Sequence, residues 1–222
     1  MRKEGVRAND VTYSVLFQSL WHSQEATALM DEAMQRKHGT FARCLTVATV
    51  AAASGGSERR EEWTLDLHLF SPGAAVAMTL WVLSQLTKRE TVGHSPPPAR
   101  VVFITGWGKS HSSNYQLVGR RRGAVRDAVL ALLRICEVPI VQRSTPESPS
   151  PRGMGSSPRA RSNPGEVEID MAMMGRWIRG AIECGLVRGW FGLDERFIID
   201  LDDEQIRSVQ ESSGLRLNGQ PG

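Results

Sequence analysis

Apolar residues recur along this chain in two rhythms, one near 3.6 and one of two, and the places where the rhythm changes divide it into elements. Val11, Val15, Leu16 and Leu20 lie at helical spacing, and Ala26, Leu29, Met30, Ala33 and Met34 do so again beyond His22-Ser23, which predicts a helical hairpin. Residues 46–57 are small and end in Ser54-Gly55-Gly56-Ser57, a linker by composition, with 46–53 able to extend a helix instead. Residues 63–69 predict the first strand, whose period of two puts Asp66 and His68 on one face and Leu65, Leu67 and Leu69 on the other. Ser71 as N-cap and Pro72 at the first helical position open a helix over 73–88.

His94-Ser95-Pro96-Pro97-Pro98 is a stiff connection into a second strand over 100–105. Its apolar run Val101-Val102-Phe103-Ile104 ends on a glycine turn, Thr105-Gly106-Trp107-Gly108-Lys109-Ser110. A loop over 109–119, a helix over 120–136 and a strand over 138–142 follow. Residues 144–164, dense in Ser, Pro, Gly and Arg, read as a disordered insertion. Residues 166–169 predict a fourth strand, and 171–183 a closing helix with Met174, Trp177, Ile178 and Ala181 on one face. The order β-α-β-α-β-β predicts a two-layer α/β domain over 61–183. Ahead of it stand the helical hairpin of 1–45 and a linker at 46–60, and residues 184–222 carry no assignable pattern.

Composition narrows the classes of function. The 222 residues, 41% of them hydrophobic, suffice for one core with extensions. The net charge of +3 hides an asymmetry. Arg100, Lys109, Arg120, Arg121, Arg122 and Arg126 follow one another with no acid between, while Asp194, Glu195, Asp200, Asp202, Asp203 and Glu204 make the tail acidic. The positive field is expected beside the glycine turn. Cys44, Cys136 and Cys184 stand in no metal-ligand or redox spacing and read as buried or free thiols of a reducing compartment. No apolar run approaches the ~20 residues of a membrane span, and Met1-Arg2-Lys3 runs straight into Glu4-Gly5 without the apolar segment of a secretory signal. A nucleotide-binding P-loop ending in Gly108-Lys109-Ser110 would need glycine where Phe103 stands, and a zinc site would need cysteine or histidine pairs that are not there.

The chemistry then concentrates on two motifs. A carboxylate beside an imidazole suits proton transfer, with Asp66 either orienting His68 or holding a divalent ion such as Mg or Mn that activates water. A glycine turn at a strand end offers backbone N–H groups to an anion. Structural roles compete with these: an Asp-x-His pair also holds a turn together, and Trp107 either stacks on a base or closes over a core edge. Arg120, Arg121 and Arg122 at a helix start oppose the helix dipole, a penalty that an external polyanion relieves. A phosphate-bearing polyanion is the expected partner.

Three ordered blocks carry a resemblance. Leu65-Asp66-Leu67-His68-Leu69-Phe70-Ser71-Pro72-Gly73-Ala74-Ala75, then Ile104-Thr105-Gly106-Trp107-Gly108-Lys109, then Gly123-Ala124-Val125-Arg126-Asp127-Ala128-Val129 resemble the small MutS-related (SMR) domain, in the form fused to plant pentatricopeptide-repeat proteins. Asn9-Asp10-Val11-Thr12-Tyr13-Ser14-Val15-Leu16 and residues 25–34 resemble one pentatricopeptide helix pair. A repeat array needs about three units to cover its apolar faces. The chain is therefore expected to be the C-terminal piece of a longer protein, or a truncated gene model.

The resemblance implies that Asp66 and His68 are nuclease residues and that Thr105, Gly106 and Gly108 contact RNA. Arg126, in a Val125-Arg126 pair where the family has Leu-Arg, would add a phosphate contact. It also implies an RNA-binding protein of chloroplast or mitochondrial gene expression with endoribonuclease activity. The alternatives are a non-catalytic RNA-binding or scaffold module and a DNA-nicking endonuclease. Base choice in such repeats is attributed to paired positions, of which Asn9 and Ser14 are present here.

Overall fold

In the computed structural model, which describes residues 8–36, 39–51, 59–93, 95–106, 123–141, 165–190 and 196–213, the chain begins with helices α1 (Asp10–Leu20) and α2 (Gln24–Met34). Asn9 caps α1 by accepting the Thr12 N–H at 2.9 Å, and the Asn9 N–H donates back to Thr12 Oγ1. The sequence predicts Val11, Val15, Leu16 and Leu20 as the buried stripe of α1. The structure instead buries Tyr13, Phe17 and Trp21 and leaves Val11 69% and Val15 63% exposed. Helical spacing permits both stripes, and the aromatic one removes far more apolar area from water. On α2 the expected stripe is the buried one, with Ala26, Met30 and Ala33 in the core and Leu29 and Met34 packed against it.

A short helix α3 (Thr40–Cys44) follows, fixed at its start by Asp10 Oδ2, which accepts both the N–H and the hydroxyl of Thr40 at 2.8 Å. It leads into strand β1 (Leu45–Ala51), which pairs antiparallel with β2 (Arg59–Asp66). Where the sequence predicts a linker over 46–60 and a first strand over 63–69, the structure therefore has two strands, the second ending at Asp66. Thr46, Val47, Thr49 and Val50 are β-branched and favour a strand. β1 lies at a sheet edge and is largely exposed, so it needs little of the bulk that marks a buried strand.

Helix α4 (Pro72–Val92) is opened by Ser71, whose hydroxyl accepts the Ala74 N–H, and closed by Gly93 at φ +71°. Strand β3 (Arg100–Ile104) returns parallel to β2, α5 (Ala124–Ile135) follows, and β4 (Glu166–Ile169) pairs antiparallel with β3. The sheet order is β1-β2-β3-β4. The strand expected over 138–142 reduces to a single bridge between Ile140 and Ile169. Pro139 has no N–H and cannot continue a ladder, although Val141 still donates to Glu168 O and Asp170 to Pro139 O. Helix α6 (Met171–Glu183) follows. The unassigned tail contains β5 (Val187–Trp190) and β6 (Arg196–Ile199), which form a second, two-stranded antiparallel sheet, and helix α7 (Asp203–Ser213). The insertion at 144–164 and the loop at 109–119 lie outside the described residues.

The fold is α/β, with a four-stranded mixed sheet and seven helices among the described residues. Trp63, Leu65, Val101, Phe103, Val167 and Ile169 share one sheet face and are buried in the core. Glu62, Thr64, Asp66, Arg100, Ile104, Glu166 and Glu168 take the other. Helix α4 is buried on nearly every side rather than amphipathic, from Ala74 through Leu80 and again at Val82, Leu83 and Leu86. Such a helix needs cover all round, and α1, α2, α5, α6 and β6 all pack on it, while α7 packs on α5. One apolar cluster runs from Tyr13 to Val209. Among the described residues no helix is long and apolar enough to cross a membrane.

Candidate functional site

Parallel pairing of β2 with β3 brings Asp66 level with Ile104, so both strands end at one edge of the sheet. One further ladder bond follows, Leu67 N–H to Ile104 O at 2.8 Å, and then the chain turns, with Phe70 N–H donating to Leu67 O. Phe70 anchors the turn by packing on Phe41, their ring centroids 4.9 Å apart.

Asp66 and His68 do come together, but not through strand alternation. The strand has ended, and His68 sits in the turn, where its backbone N–H donates to Asp66 Oδ1 at 3.2 Å and its Nδ1 meets the same oxygen. This is the local side-chain-to-backbone bonding by which aspartate organises a turn. Leu65 and Leu67 are fully buried as expected, whereas Leu69, beyond the end of the alternation, is 73% exposed. The two polar side chains are about half exposed, His68 at 49% and Asp66 at 45%.

The glycine turn closes on this pair from β3. Thr105 is buried, and both its N–H and its hydroxyl donate to Gly165 O, at 2.8 and 2.9 Å. Its hydroxyl therefore anchors the turn to the chain entering β4. Gly106 follows at φ +71°, with a built β-carbon 3.1 Å from the Cβ of His68. Asp66, His68, Thr105 and Gly106 thus form one cluster at the C-terminal ends of two parallel strands.

Arg126 lies in the first turn of α5, behind Gly123 at φ +86°. Trp107, Gly108, Lys109, Arg120, Arg121 and Arg122 lie outside the described residues. Arg100, the first cation of the basic run, stands at the far end of β3 from the turn and is held by Glu168 through two 3.0 Å hydrogen bonds. Those bonds raise its pKa. Its charge is therefore paired with Glu168 rather than directed at the turn.

Sequence reasoning misses three neighbours of the site. Gly165 supplies the carbonyl that holds Thr105. Glu166 shares the sheet face of Asp66, since Asp66 pairs with Ile104 and Ile104 with Glu166. Cys44 is brought beside Asp66 by the β1–β2 register. Its thiol donates to Phe41 O, and burial, followed by the Asp66 charge, pushes its pKa up to about 12. Strand register reveals the last two, and spacing along the chain carries no trace of it.

Asp66 also stands as the expected metal ligand. Its Oδ1 is already engaged by His68, and no group of three or more His, Cys, Asp or Glu side chains able to hold an ion occurs among the described residues. Comparisons of the chain with protein-family models, with curated proteins and with solved structures found no match.

Proposed function

We propose that the chain carries an SMR-type domain that binds single-stranded RNA at the shared edge of β2 and β3 and cleaves it with Asp66 and His68. The observation that carries this reading is the Asp66 Oδ1–His68 Nδ1 contact, backed by Gly106. A carboxylate on Nδ1 holds the imidazole in the tautomer whose Nε2 lone pair faces outward. In that state Nε2 takes the proton of a ribose 2′-hydroxyl as its oxygen attacks the adjacent phosphorus. The P–O5′ bond breaks to leave a 2′,3′-cyclic phosphate, and the imidazolium, steadied by Asp66, returns the proton to the departing 5′-oxygen. The basic residues flanking the turn supply phosphate attraction. The sequence resemblance supports reading this activity as part of chloroplast or mitochondrial gene expression.

A second reading has its own support. The His68 backbone N–H is held by the same aspartate oxygen, as expected if the pair serves to shape an RNA-binding turn without chemistry. One experiment separates the two. Wild-type and His68→Ala proteins are incubated with end-labelled single-stranded RNA and DNA, with and without magnesium or manganese. The nuclease reading expects cleavage of RNA that His68→Ala abolishes while affinity stays within about twofold. RNA bound by the wild type and never cut leaves the scaffold reading, and cleavage confined to DNA leaves a nicking enzyme.

A further inference from the structure

The two edges of the main sheet are built differently. At the β4 edge the chain returns through Pro139, Ile140 and Val141, which bridges Ile169 and places a residue without an N–H on the border. Together with Glu166 and Glu168 on β4, these are ordinary devices against strand addition. The β1 edge has none of them. Its sequence, Leu45-Thr46-Val47-Ala48-Thr49-Val50-Ala51, contains no charge, proline or glycine and is rich in β-branched residues. Among the described residues its one strand partner is β2, with which it pairs in unbroken register over its full length. Residues 46–49 and Ala51 are exposed, Val47 to 48%. A regular, neutral, unpaired edge of this kind is a template for another strand.

We propose that β1 pairs antiparallel with β1 of a second copy about a two-fold axis at Ala48, joining two four-stranded sheets into one. A second copy fits because an antiparallel strand pair is self-complementary under a two-fold, as a closed dimer requires. In this register Val47 faces Thr49 of the second copy, Thr46 faces Val50, and Leu45 faces Ala51. Each pair matches side chains on the same face. Leu45 and Val47 lie level with Leu65 and Trp63, so the apolar faces of the two sheets become continuous. β-branched pairs across strands are favourable. The nearest like charges that the two-fold sets in one row are the Glu62 carboxylates, each one strand inward of Ala48. Three strand spacings, about 14 Å, separate them, beyond the ~8 Å screening length at physiological salt.

The interface is narrow. Seven residues make a ladder of about 23 Å, short of a standard interface, so the dimer is a weak one. The proposal does not depend on the RNA reading.

The test uses the register. Ala48→Lys and Ala48→Glu each put two like charges opposite one another on the axis, at an exposed position where the fold has room. Sedimentation of the full-length protein from about 1 to about 200 µM should show wild type passing from monomer to dimer. Each variant alone should associate at least about tenfold more weakly, with unchanged circular dichroism and melting. An equimolar mixture of the two variants should recover association. A wild type that stays monomeric throughout overturns the proposal, and in that case binding of a labelled peptide of residues 45–51 marks an extended peptide as the occupant. Wild-type association that neither charge weakens, or a mixture with no recovery, also overturns it.

Discussion

A β-carbon on Gly106 would stand 3.1 Å from the Cβ of His68, on a backbone already at φ +71°. The glycine is the surface against which the imidazole-bearing turn rests. Substitution therefore brings left-handed strain of about 1–3 kcal/mol and pushes His68 away from its place. Because this turn lies at a strand end outside the core, Gly106→Val should still fold, with its melting point lowered by roughly 2–12 °C. RNA affinity should fall and cleavage should fall further, with Gly106→Ala intermediate. Melts and RNA titrations on the same preparations check this. A folded Gly106→Val protein with undiminished affinity would remove the glycine turn from the site.

Thr105 makes a separate prediction, because its hydroxyl faces Gly165 rather than solvent. Thr105→Val preserves volume and leaves Gly165 O the Thr105 N–H, so the loss should be about 1 kcal/mol in urea unfolding. Thr105→Ser should lose less. Neither should change the slope of RNA affinity against salt, whereas replacing Arg120, Arg121 and Arg122 together should flatten it. A Thr105→Val protein of full stability with reduced RNA affinity would show that the hydroxyl reaches phosphate rather than Gly165 O.

These residues also show what the sequence makes legible. The Ser71 cap acts locally, and the start of α4 follows from it. The Asp66–His68 pairing is legible as proximity although its geometry is not: two residues apart, the side chains meet in an extended strand or in an aspartate turn. Two features depend on contacts distant in sequence. The Tyr13, Phe17 and Trp21 stripe of α1 is selected by what α4 and Phe41 offer it. The full burial of α4 depends on β6, from a tail without a pattern of its own. An apolar run such as Ala74–Leu80 is ambiguous until the cover for its outer side is known.

The contact between α1 and α4 is tight enough to test alone. A β-carbon at Gly73 would lie 2.7 Å from Gln18 Cα and 2.8 Å from Phe17 O, both backbone atoms, while the Gly73 N–H donates to Gln18 Oε1. Relief requires moving one helix off the other. Gly73→Ala should therefore cost about 1–3 kcal/mol by overpacking, despite alanine's better helix propensity. Equilibrium urea unfolding measures it. A stabilised Gly73→Ala protein would mean that α1 does not seat on α4 this closely.

The cysteines give a prediction with a pH dependence. Burial pushes both Cys44 and Cys136 up to about 12, so both hold their protons through the neutral range. Cys184 is exposed. Since the thiolate is the reactive species, a maleimide or disulfide reagent near neutral pH should modify Cys184 quickly. The other two should react only as fast as the protein opens. The raised values also set the sign of a linkage. The folded state holds these thiol protons more tightly than the unfolded state, so the resulting stability is complete below the unfolded thiol pKa of about 8.5 and is lost as the pH climbs toward 12. Cys44→Ala should leave a cavity and lower stability at every pH. The difference from wild type should narrow above about pH 9, where wild type begins to lose the Cys44 contribution. Urea midpoints measured at neutral and alkaline pH decide it. A gap that widens with pH would place the Cys44 thiol beside a cation, and a gap that does not change would place it in solvent, rather than in the core beside Asp66.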